Sequence, residues 1–213
     1  ERDGMKYAHI IDRILFGDGW FTQRDIFEEF KLWRFYETYL EGMKRLKRDR
    51  LYASRIHGES HIERVMLLGA LGAMAGGIDR RETEMLLDAC AYHDVGRVND
   101  SYDIYHGERS AAVIGEITGR EEGYDLTVIM CAVHAHSRPD EDMAGVMELY
   151  GLKGDEYACS FCCMLKDADN MDRFRINDFD EKFLRMDYNH RFVSLAKEMA
   201  QIWYPKLEAE AQK

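Results

Sequence analysis

Residues 61–77, HIERVMLLGALGAMAGG, decide the fold class of this chain. Apolar and small residues follow His61 at spacings of three and four, which places them on one face of an α-helix. The glycines at 76 and 77 end the pattern, as glycine commonly ends a helix. Similar spacing recurs along almost the whole chain, in which Pro139 and Pro205 are the only prolines. The sequence therefore predicts an all-α protein, with helices at residues 5–16, 24–50, 59–75, 80–94, 107–118, 123–136, 141–150, 155–172 and 178–210.

Composition restricts the kind of partner. The 213 residues carry 29 Lys and Arg against 40 Asp and Glu, a formal net charge of −11. This charge disfavours extended binding to nucleic acid but allows a small anionic substrate in a locally basic pocket. The sequence has no apolar run of the roughly 20 residues that a membrane crossing needs, and residues 1–10 do not resemble a signal peptide. We therefore expect a cytoplasmic protein that does not bind membranes.

The cysteines favour the same compartment. All of them lie in apolar, helix-like stretches without the spacing of an extracellular disulfide framework, so a reducing cytoplasm fits them best. Cys159-x-x-Cys162 resembles a redox or zinc-binding pair, but no second pair accompanies it, and buried small side chains are the simpler interpretation. The five cysteines are Cys90, Cys131, Cys159, Cys162 and Cys163.

The segment 20–50 is rich in aromatic residues and ends in a basic run. The aromatic residues predict a packing face for the first helices. The run KRLKRDR at 44–50 predicts a solvated helix end that the helix dipole favours. A phosphate-steering patch is the alternative interpretation of this run.

Histidines fall on the apolar faces of several predicted helices. In CAYHDVGRVND, residues 90–100, His93 continues a buried face and Asp94 ends the helix. His61 shares the apolar face of its own helix, and His106 begins the next helix after the loop. Burial of an imidazole or a carboxylate is costly unless a partner neutralises it. A lone histidine of this kind is most simply a core residue whose ring nitrogens are hydrogen-bonded. Whether these histidines form a binding site therefore depends on how many of them face the core.

Two further stretches add an inward histidine and an inward carboxylate. His134 and His136 lie about 200° apart on a helix, and His136 continues the better apolar stripe. Asp169 lies on the apolar stripe of the helix at 155–172. Asp167 falls on the opposite side, where we expect solvent or a pairing with Lys166 or Arg173. Imidazoles and carboxylates that converge in a helical core are typical ligands of divalent metals.

In their order along the chain, these residues resemble the signature of the HD superfamily of metal-dependent phosphohydrolases, a His, a His-Asp dipeptide and a distal Asp. The matching stretches are SHIERV, YHDVGR and KDADNMDRFR, within about residues 57–175. HGERSA at 106–111 and AVHAHS at 132–137 resemble the additional His motifs of branches that bind two metals. The resemblance implies one or two divalent ions (Fe, Mn, Zn, Co or Ni), the first held by His61, His93, Asp94 and Asp169, and the second by Asp94, His106 and His136.

The same resemblance implies hydrolysis of a phosphomonoester, phosphodiester or phosphoanhydride bond by hydroxide from metal-activated water. The expected partner is a small phosphorylated substrate such as a nucleotide. Asp94 and Arg97 are the expected catalytic residues, and the loop at 97–106 is the expected specificity lid. A mixed-valent di-iron oxygenase and a catalytically silent sensor or binding module are the alternatives. The expected substrate-binding residues are Arg97, Arg109, Arg64, Lys166 and Arg138.

The resemblance also predicts the domain organisation. A helical extension at 1–50 packs on a metal-binding core at 51–175, and a C-terminal helix at 176–213 completes the same compact helical bundle. The Glu-Asp pair that follows His-Asp in alarmone hydrolases is absent, as is the Gly-Tyr-Pro element of cyclic-di-GMP phosphodiesterases. The substrate subfamily, the native metal and the number of metals therefore stay open at this point.

Overall fold

The all-α prediction is confirmed by the computed structural model, which describes residues 22–211. Within that range the chain forms helices joined by turns and short 3-10 segments, and it contains no strand. None of the helices in this range combines the length and the apolarity that crossing a bilayer requires. The helices are α1 (Arg24–Leu32), α2 (Tyr36–Arg45), α3 (Glu59–Gly76), α4 (Arg80–Tyr92), α5 (His106–Thr118), α6 (Tyr124–His136), α7 (Met143–Leu149), α8 (Glu156–Met171), α9 (Val193–Glu198) and α10 (Tyr204–Ala211).

Helix α3 lies at the centre of the molecule and is buried along most of its length. Its neighbours α4 and α8 approach closely because α3 carries small residues. A Cβ atom at Gly69 would lie 2.6 Å from Cys90 Sγ of α4. Helix α4 begins with a capping box, in which Asp79 accepts from the Glu82 N–H and the Glu82 carboxylate accepts from the Asp79 N–H. The close packing of α3 against α4 fixes the positions of the polar residues at the ends of the two helices.

The predicted helix at 24–50 is wrong in two respects, because it is divided into α1 and α2 and because α2 ends at Arg45. The chain turns at residues 33–35, where Trp33 stacks on Phe30 with ring centroids 5.8 Å apart. Tyr36 then begins α2 and meets the edge of Phe30 at 5.2 Å. Aromatic packing with α1 thus outweighs the continuous helical pattern. The predicted packing face is present among the described residues, and Phe27, Phe30 and Tyr39 are buried.

The predicted helix at 178–210 is also wrong over its first part, because regular helix begins only at Val193. Asn177 adopts a left-handed conformation, with φ of 54°, that ends the preceding 3-10 turn. The segment that follows binds Asp167, which accepts from the backbone N–H groups of Arg185 and Met186 at 2.9 Å each. Asp167 is therefore buried and not solvated as predicted, and its cationic partner is Arg185 at 3.2 Å.

The helix predicted at 5–16 lies outside the described residues. The described ends of the chain meet each other, since the rings of Phe27 and Trp203 lie 5.7 Å apart. Helix α9 continues through a π-helical turn, Met199–Trp203, into α10. The basic run at 44–50 contacts other helices, with Arg48 paired to Glu59 at 2.8 Å. In this arrangement α3 to α6 and α8 surround one group of polar side chains.

Candidate metal centre

Five helices end or begin at the same point of the core and supply its polar side chains. His61 lies in the first turn of α3, His93 caps the end of α4 and Asp94 follows it. His106 begins α5, and His136 ends α6. Asp169 lies in the last turn of α8. The structure thus brings together all the ligands that the resemblance implied, His61, His93, Asp94, His106, His136 and Asp169.

The first pair of imidazoles is held so that both free nitrogens face each other. His61 Nδ1 lies 2.7 Å from Asp172 Oδ2, and His93 Nδ1 lies 2.9 Å from the carbonyl oxygen of Cys90. A carboxylate or a carbonyl oxygen only accepts, so each Nδ1 carries a proton, and Nε2 presents a lone pair whenever its ring is neutral. Burial opposes protonation of His93, but Asp94 and Asp169 raise its pKa above the usual value. The two Nε2 atoms lie 3.1 Å apart. Such a contact requires a shared proton or a shared cation between the rings.

The second pair repeats this arrangement. His106 Nδ1 donates to the carbonyl oxygen of Asp103, and His136 Nδ1 donates to that of Val133 at 2.5 Å. Their Nε2 atoms lie 2.9 Å apart. Backbone carbonyls from the ends of both helices therefore set the tautomer of both rings. Hydrogen bonds of this kind are the usual way in which metal-ligating histidines are oriented.

Asp94 lies between the two pairs and turns one oxygen towards each. Its Oδ2 atom is 3.5 Å from His61 Nε2, whereas its Oδ1 atom is 3.0 Å from His106 Nε2 and 3.6 Å from His136 Nε2. The Oδ1 atom is buried and has no hydrogen-bond donor among the described residues. Asp169 completes the first group, with Oδ1 3.4 Å from His61 Nε2.

These separations fit metal coordination. Two ligand atoms about 2.1 Å from one ion, at angles of about 90° to 110°, lie about 3.0 to 3.4 Å apart. The closest contacts in the two groups, 3.1 Å and 2.9 Å, fall near this range. Three overlapping sets have ligand atoms near enough to hold a metal ion, namely His61 with His93 and Asp169, His93 with Asp94 and His136, and His57 with His61 and Asp94, and His106 belongs to none of them. The buried cluster can therefore bind a metal, and imidazole with carboxylate suits Fe, Mn, Co, Ni or Zn.

The electrostatics of the cluster favour a cation. Burial would raise the pKa of Asp94, but the surrounding imidazoles hold it well below its usual value. Burial likewise opposes ionisation of Asp169, and His93 is foremost in lowering its pKa. Burial lowers the pKa of His136 to about 4, with a further contribution from His106. At neutral pH the cluster therefore contains two carboxylates and at least one unprotonated imidazole, which is the state that binds a metal.

Of the arginines expected to contact substrate, Arg97 lies nearest to the cluster. Its Nε atom is 2.8 Å from Asp94 Oδ1, but the two groups are not aligned for a hydrogen bond. Arg109 lies further back, where Nε donates to the Gly96 carbonyl at 2.8 Å and the guanidinium pairs with Asp103. Arg97 therefore contacts a ligand directly, whereas Arg109 ties the loop at 97–106 to α5.

A pocket of about 450 Å³ opens beside Asp169 and His136. Lys166 and Arg138, two of the residues predicted to bind substrate, line it. Lys166 Nζ is held by the carbonyl oxygens of Ala135 and Arg138, at 2.9 and 2.6 Å, and by Asp140. Arg138 lies over the Tyr105 ring at 4.8 Å, and its buried Nε has no hydrogen-bond acceptor among the described residues. Arg138 therefore has a donor available for a ligand.

Arg64 does not line this pocket. It is buried behind His61, where Nε and Nη2 donate to the two oxygens of Asp172 at 2.5 and 3.1 Å. Asp172 in turn accepts from His61, so Arg64 supports the carboxylate that orients a ligand. Asp172 follows Asp169 by three residues and so lies on the same helical face, but the separation of 111 residues between it and His61 gave no sign of their hydrogen bond.

His57 is a ligand candidate that the sequence reasoning did not identify. It is buried, and its Nδ1 lies 3.1 Å from Asp94 Oδ2 and also 3.1 Å from Arg175 Nη2. With His61 and Asp94 it forms one of the sets that could hold a metal. Its position four residues before His61 was the available signal, but Gly58 obscured the helical relation.

His134 lies apart from this cluster in its contacts. His134 is buried, but it faces Tyr150, with Nδ1 3.3 Å from the phenol oxygen. All five cysteines are free, and Cys90, Cys131 and Cys162 are buried.

Comparison with protein-family models, with curated proteins and with solved structures finds no match for this chain. Function is therefore inferred from the residues of the cluster and the pocket beside it.

Proposed function

We propose that this protein is a metal-dependent phosphohydrolase of the HD superfamily that uses two divalent ions. One observation carries the proposal: four imidazoles whose Nδ1 protons are tied to the protein present their Nε2 lone pairs to the two oxygens of one buried carboxylate, Asp94. A carboxylate shared between two His pairs is suited to bridge two ions. The substrate class is a small phosphorylated metabolite such as a nucleotide.

The residues divide into two ligand groups. His61, His93 and Asp169 would hold one ion with Asp94 Oδ2, and the two remaining histidines would hold the other with Asp94 Oδ1. A bound metal pair of this kind lowers the pKa of water from 15.7 to about 7 and stabilises charge on phosphoryl oxygens. Hydrogen bonds from Nδ1–H fix the tautomers of the four histidines. The acceptors are the Asp172 carboxylate and the carbonyl oxygens of Cys90, Asp103 and Val133.

The pocket beside the cluster would bind the substrate. Asp169 is the ligand that reaches solvent, since 23% of its side chain is exposed. Arg138 lines this pocket, and its buried Nε–H is a donor without an acceptor among the described residues. Charge-assisted donors of a guanidinium are strong contacts for phosphate oxygens. Lys166 is held by backbone carbonyls, so its ammonium is positioned before any ligand arrives. Arg97 stabilises the ionised form of Asp94 from the other side.

The test combines metal analysis with a phosphate-release screen over nucleotides and other phosphoesters, with Mn²⁺, Fe²⁺, Co²⁺ or Ni²⁺ added in turn. We expect about two ions per chain, since Asp94 faces two donor groups. Asp94→Asn should lose metal and lower phosphate release by at least about a hundredfold, because even partners outside the ligand set cost 10 to 100-fold. His134→Ala should retain both properties and serves as the control.

Three outcomes would contradict the proposal in different ways. Full metal occupancy in the Asp94 variant would remove Asp94 from the site. A content of one ion per chain, in protein purified without chelator, would refute the two-metal form. Iron-dependent consumption of O₂ without phosphate release would replace the hydrolase by an oxygenase.

A further inference from the structure

A second pocket, lined by arginines, lies behind Asp172. Its volume is about 160 Å³, and Arg55, Arg64 and Arg175 contribute to its wall together with Ser60 and Tyr204. None of the described residues that line it is acidic. This is unusual for a chain with a net charge of −11. The concentration of guanidinium groups here is the feature that requires an explanation.

Two of these arginines are fixed by the fold. Arg64 is buried, bonds to both oxygens of Asp172 and lies over the Tyr204 ring at 4.5 Å. Arg175 Nε donates to the Ile56 carbonyl at 2.8 Å, and its Nη1 lies 3.4 Å from Asp172 Oδ2. Their positions are therefore set before any ligand binds, which reduces the conformational entropy that binding costs.

The third arginine differs from the other two. Arg55 is exposed, and among the described residues its side chain has no ion-pair or hydrogen-bond partner. Asp172 is the carboxylate that Arg64 and Arg175 share, and it also accepts from His61. Glu63, the other acid near Arg64, lies 3.4 Å from the Tyr204 hydroxyl. Two carboxylates do not neutralise three guanidinium groups, so the pocket keeps a positive charge.

The start of α3 adds to this field. Ser60 lies in the first turn of that helix, whose N-cap, Gly58, provides no side-chain hydrogen bond. The first N–H groups of a helix have no intrahelical acceptor and carry partial positive charge. They reinforce the arginines but would not define a site by themselves.

We propose that this pocket binds a phosphoryl anion, either inorganic phosphate or the terminal phosphate of a small monoester. Guanidinium groups bind phosphate oxygens through paired N–H donors. A pocket of about 160 Å³ is smaller than the roughly 300 to 1,000 Å³ of sites for drug-sized ligands, so it accepts a phosphoryl group and not a whole nucleotide. None of the residues that line this pocket is one of the proposed metal ligands, and the proposal does not depend on hydrolytic activity.

The test is calorimetric titration of the full-length protein with inorganic phosphate and, in a second arm, with phenyl phosphate. We expect saturable binding to the wild-type protein. Arg55→Gln should weaken it by at least about tenfold, the loss expected for one hydrogen bond to a charged group. Arg55→Glu should weaken it further, because it places a carboxylate at the pocket. Arg80→Gln removes an exposed arginine of α4 that pairs with Glu84, and it should leave the affinity unchanged.

The comparison of variants locates the site. Phosphate bound at the metal cluster would be unaffected by Arg55, so equal affinity in all variants overturns the proposal, as does non-saturable binding to the wild-type protein. Binding of both probes would indicate that a monoester reaches the pocket, whereas binding of phosphate alone would identify the inorganic anion. Because the readout is binding, failure of the hydrolase proposal would leave this result interpretable.

Discussion

At the scale of single residues, the direction of each Nε2 lone pair decides what the cluster can do. A buried histidine whose two ring nitrogens are both satisfied by protein groups would be a structural residue. Here His61, His93, His106 and His136 each use Nδ1 for a protein acceptor and turn Nε2 towards Asp94 or Asp169. Because Nδ1 is hydrogen-bonded to the protein, the Nε2 atoms of these four core histidines are oriented as potential metal ligands.

The two groups should be separable by a single substitution. His106→Ala removes a donor from the second group but leaves His61, His93 and Asp169 intact. We expect metal content to fall from about two ions per chain to about one, since the bridging carboxylate is retained. Elemental analysis of purified protein measures this, with His190→Ala as the control because His190 is exposed and pairs with Glu181. Loss of both ions from the His106 variant, with unchanged circular dichroism, would mean that the groups are not independent.

At the scale of secondary-structure elements, a close approach of α5 and α6 brings the second His pair together. A Cβ atom at Gly107 would lie 2.6 Å from both Ser137 Oγ and the Val133 carbonyl oxygen. Gly107 follows His106 directly, and Val133 is the residue whose carbonyl orients His136. The absence of a side chain at position 107 therefore allows the 2.9 Å contact between the two Nε2 atoms.

Gly107→Ala should consequently reduce both stability and metal binding. We expect a loss of about 1 to 3 kcal/mol in the free energy of unfolding, typical of overpacking, and weaker binding of the second ion. Urea denaturation and metal titration measure the two effects. Gly145→Ala in α7 is the matched control, because no atom lies near the added Cβ and the change should stabilise the helix by up to about 1 kcal/mol. Equal behaviour of the two variants would show that the α5–α6 contact does not control the site.

At the scale of the whole molecule, the cluster joins helices that are far apart in the chain. Ligands come from α3, α5, α6 and α8 and from the end of α4. Asp94 is buried and Asp169 is partly buried among these histidines, and their charge opposes folding unless protons or metal ions neutralise it. Metal binding and global stability are therefore expected to be linked, because the unfolded chain does not hold these groups together.

Removal of metal should lower the melting temperature. At free metal a thousand times Kd, binding adds about 4 kcal/mol of stability, which corresponds to roughly 10 °C for a chain of this size. Calorimetry before and after dialysis against chelator measures the shift. Asp94→Asn should melt at the same temperature with and without chelator. A shift of equal size in that variant would show that the stabilising ion binds elsewhere.

The sequence by itself determined the all-α class, the approximate limits of α3 to α8 and the inward direction of the polar ligands. These are local properties, since the 3.6-residue period reports which face of each helix is buried. It predicted the wrong structure for residues 33–35 and 178–192, where contacts between distant residues outweigh the local pattern. Asp167, for example, is buried because the N–H groups of Arg185 and Met186 bind it.

Only the tertiary structure decided which groups meet. Asp172 orients His61 across 111 residues, and Arg175 reaches His57 across 118. No periodicity encodes such pairs, because they depend on how helices pack and where their ends fall. Helix packing also decides that Asp94 lies between two His pairs and that His57 lies beside it. It likewise forms the arginine pocket behind Asp172. Helical faces could be derived from spacing, whereas the distances that make a metal site required the packed molecule.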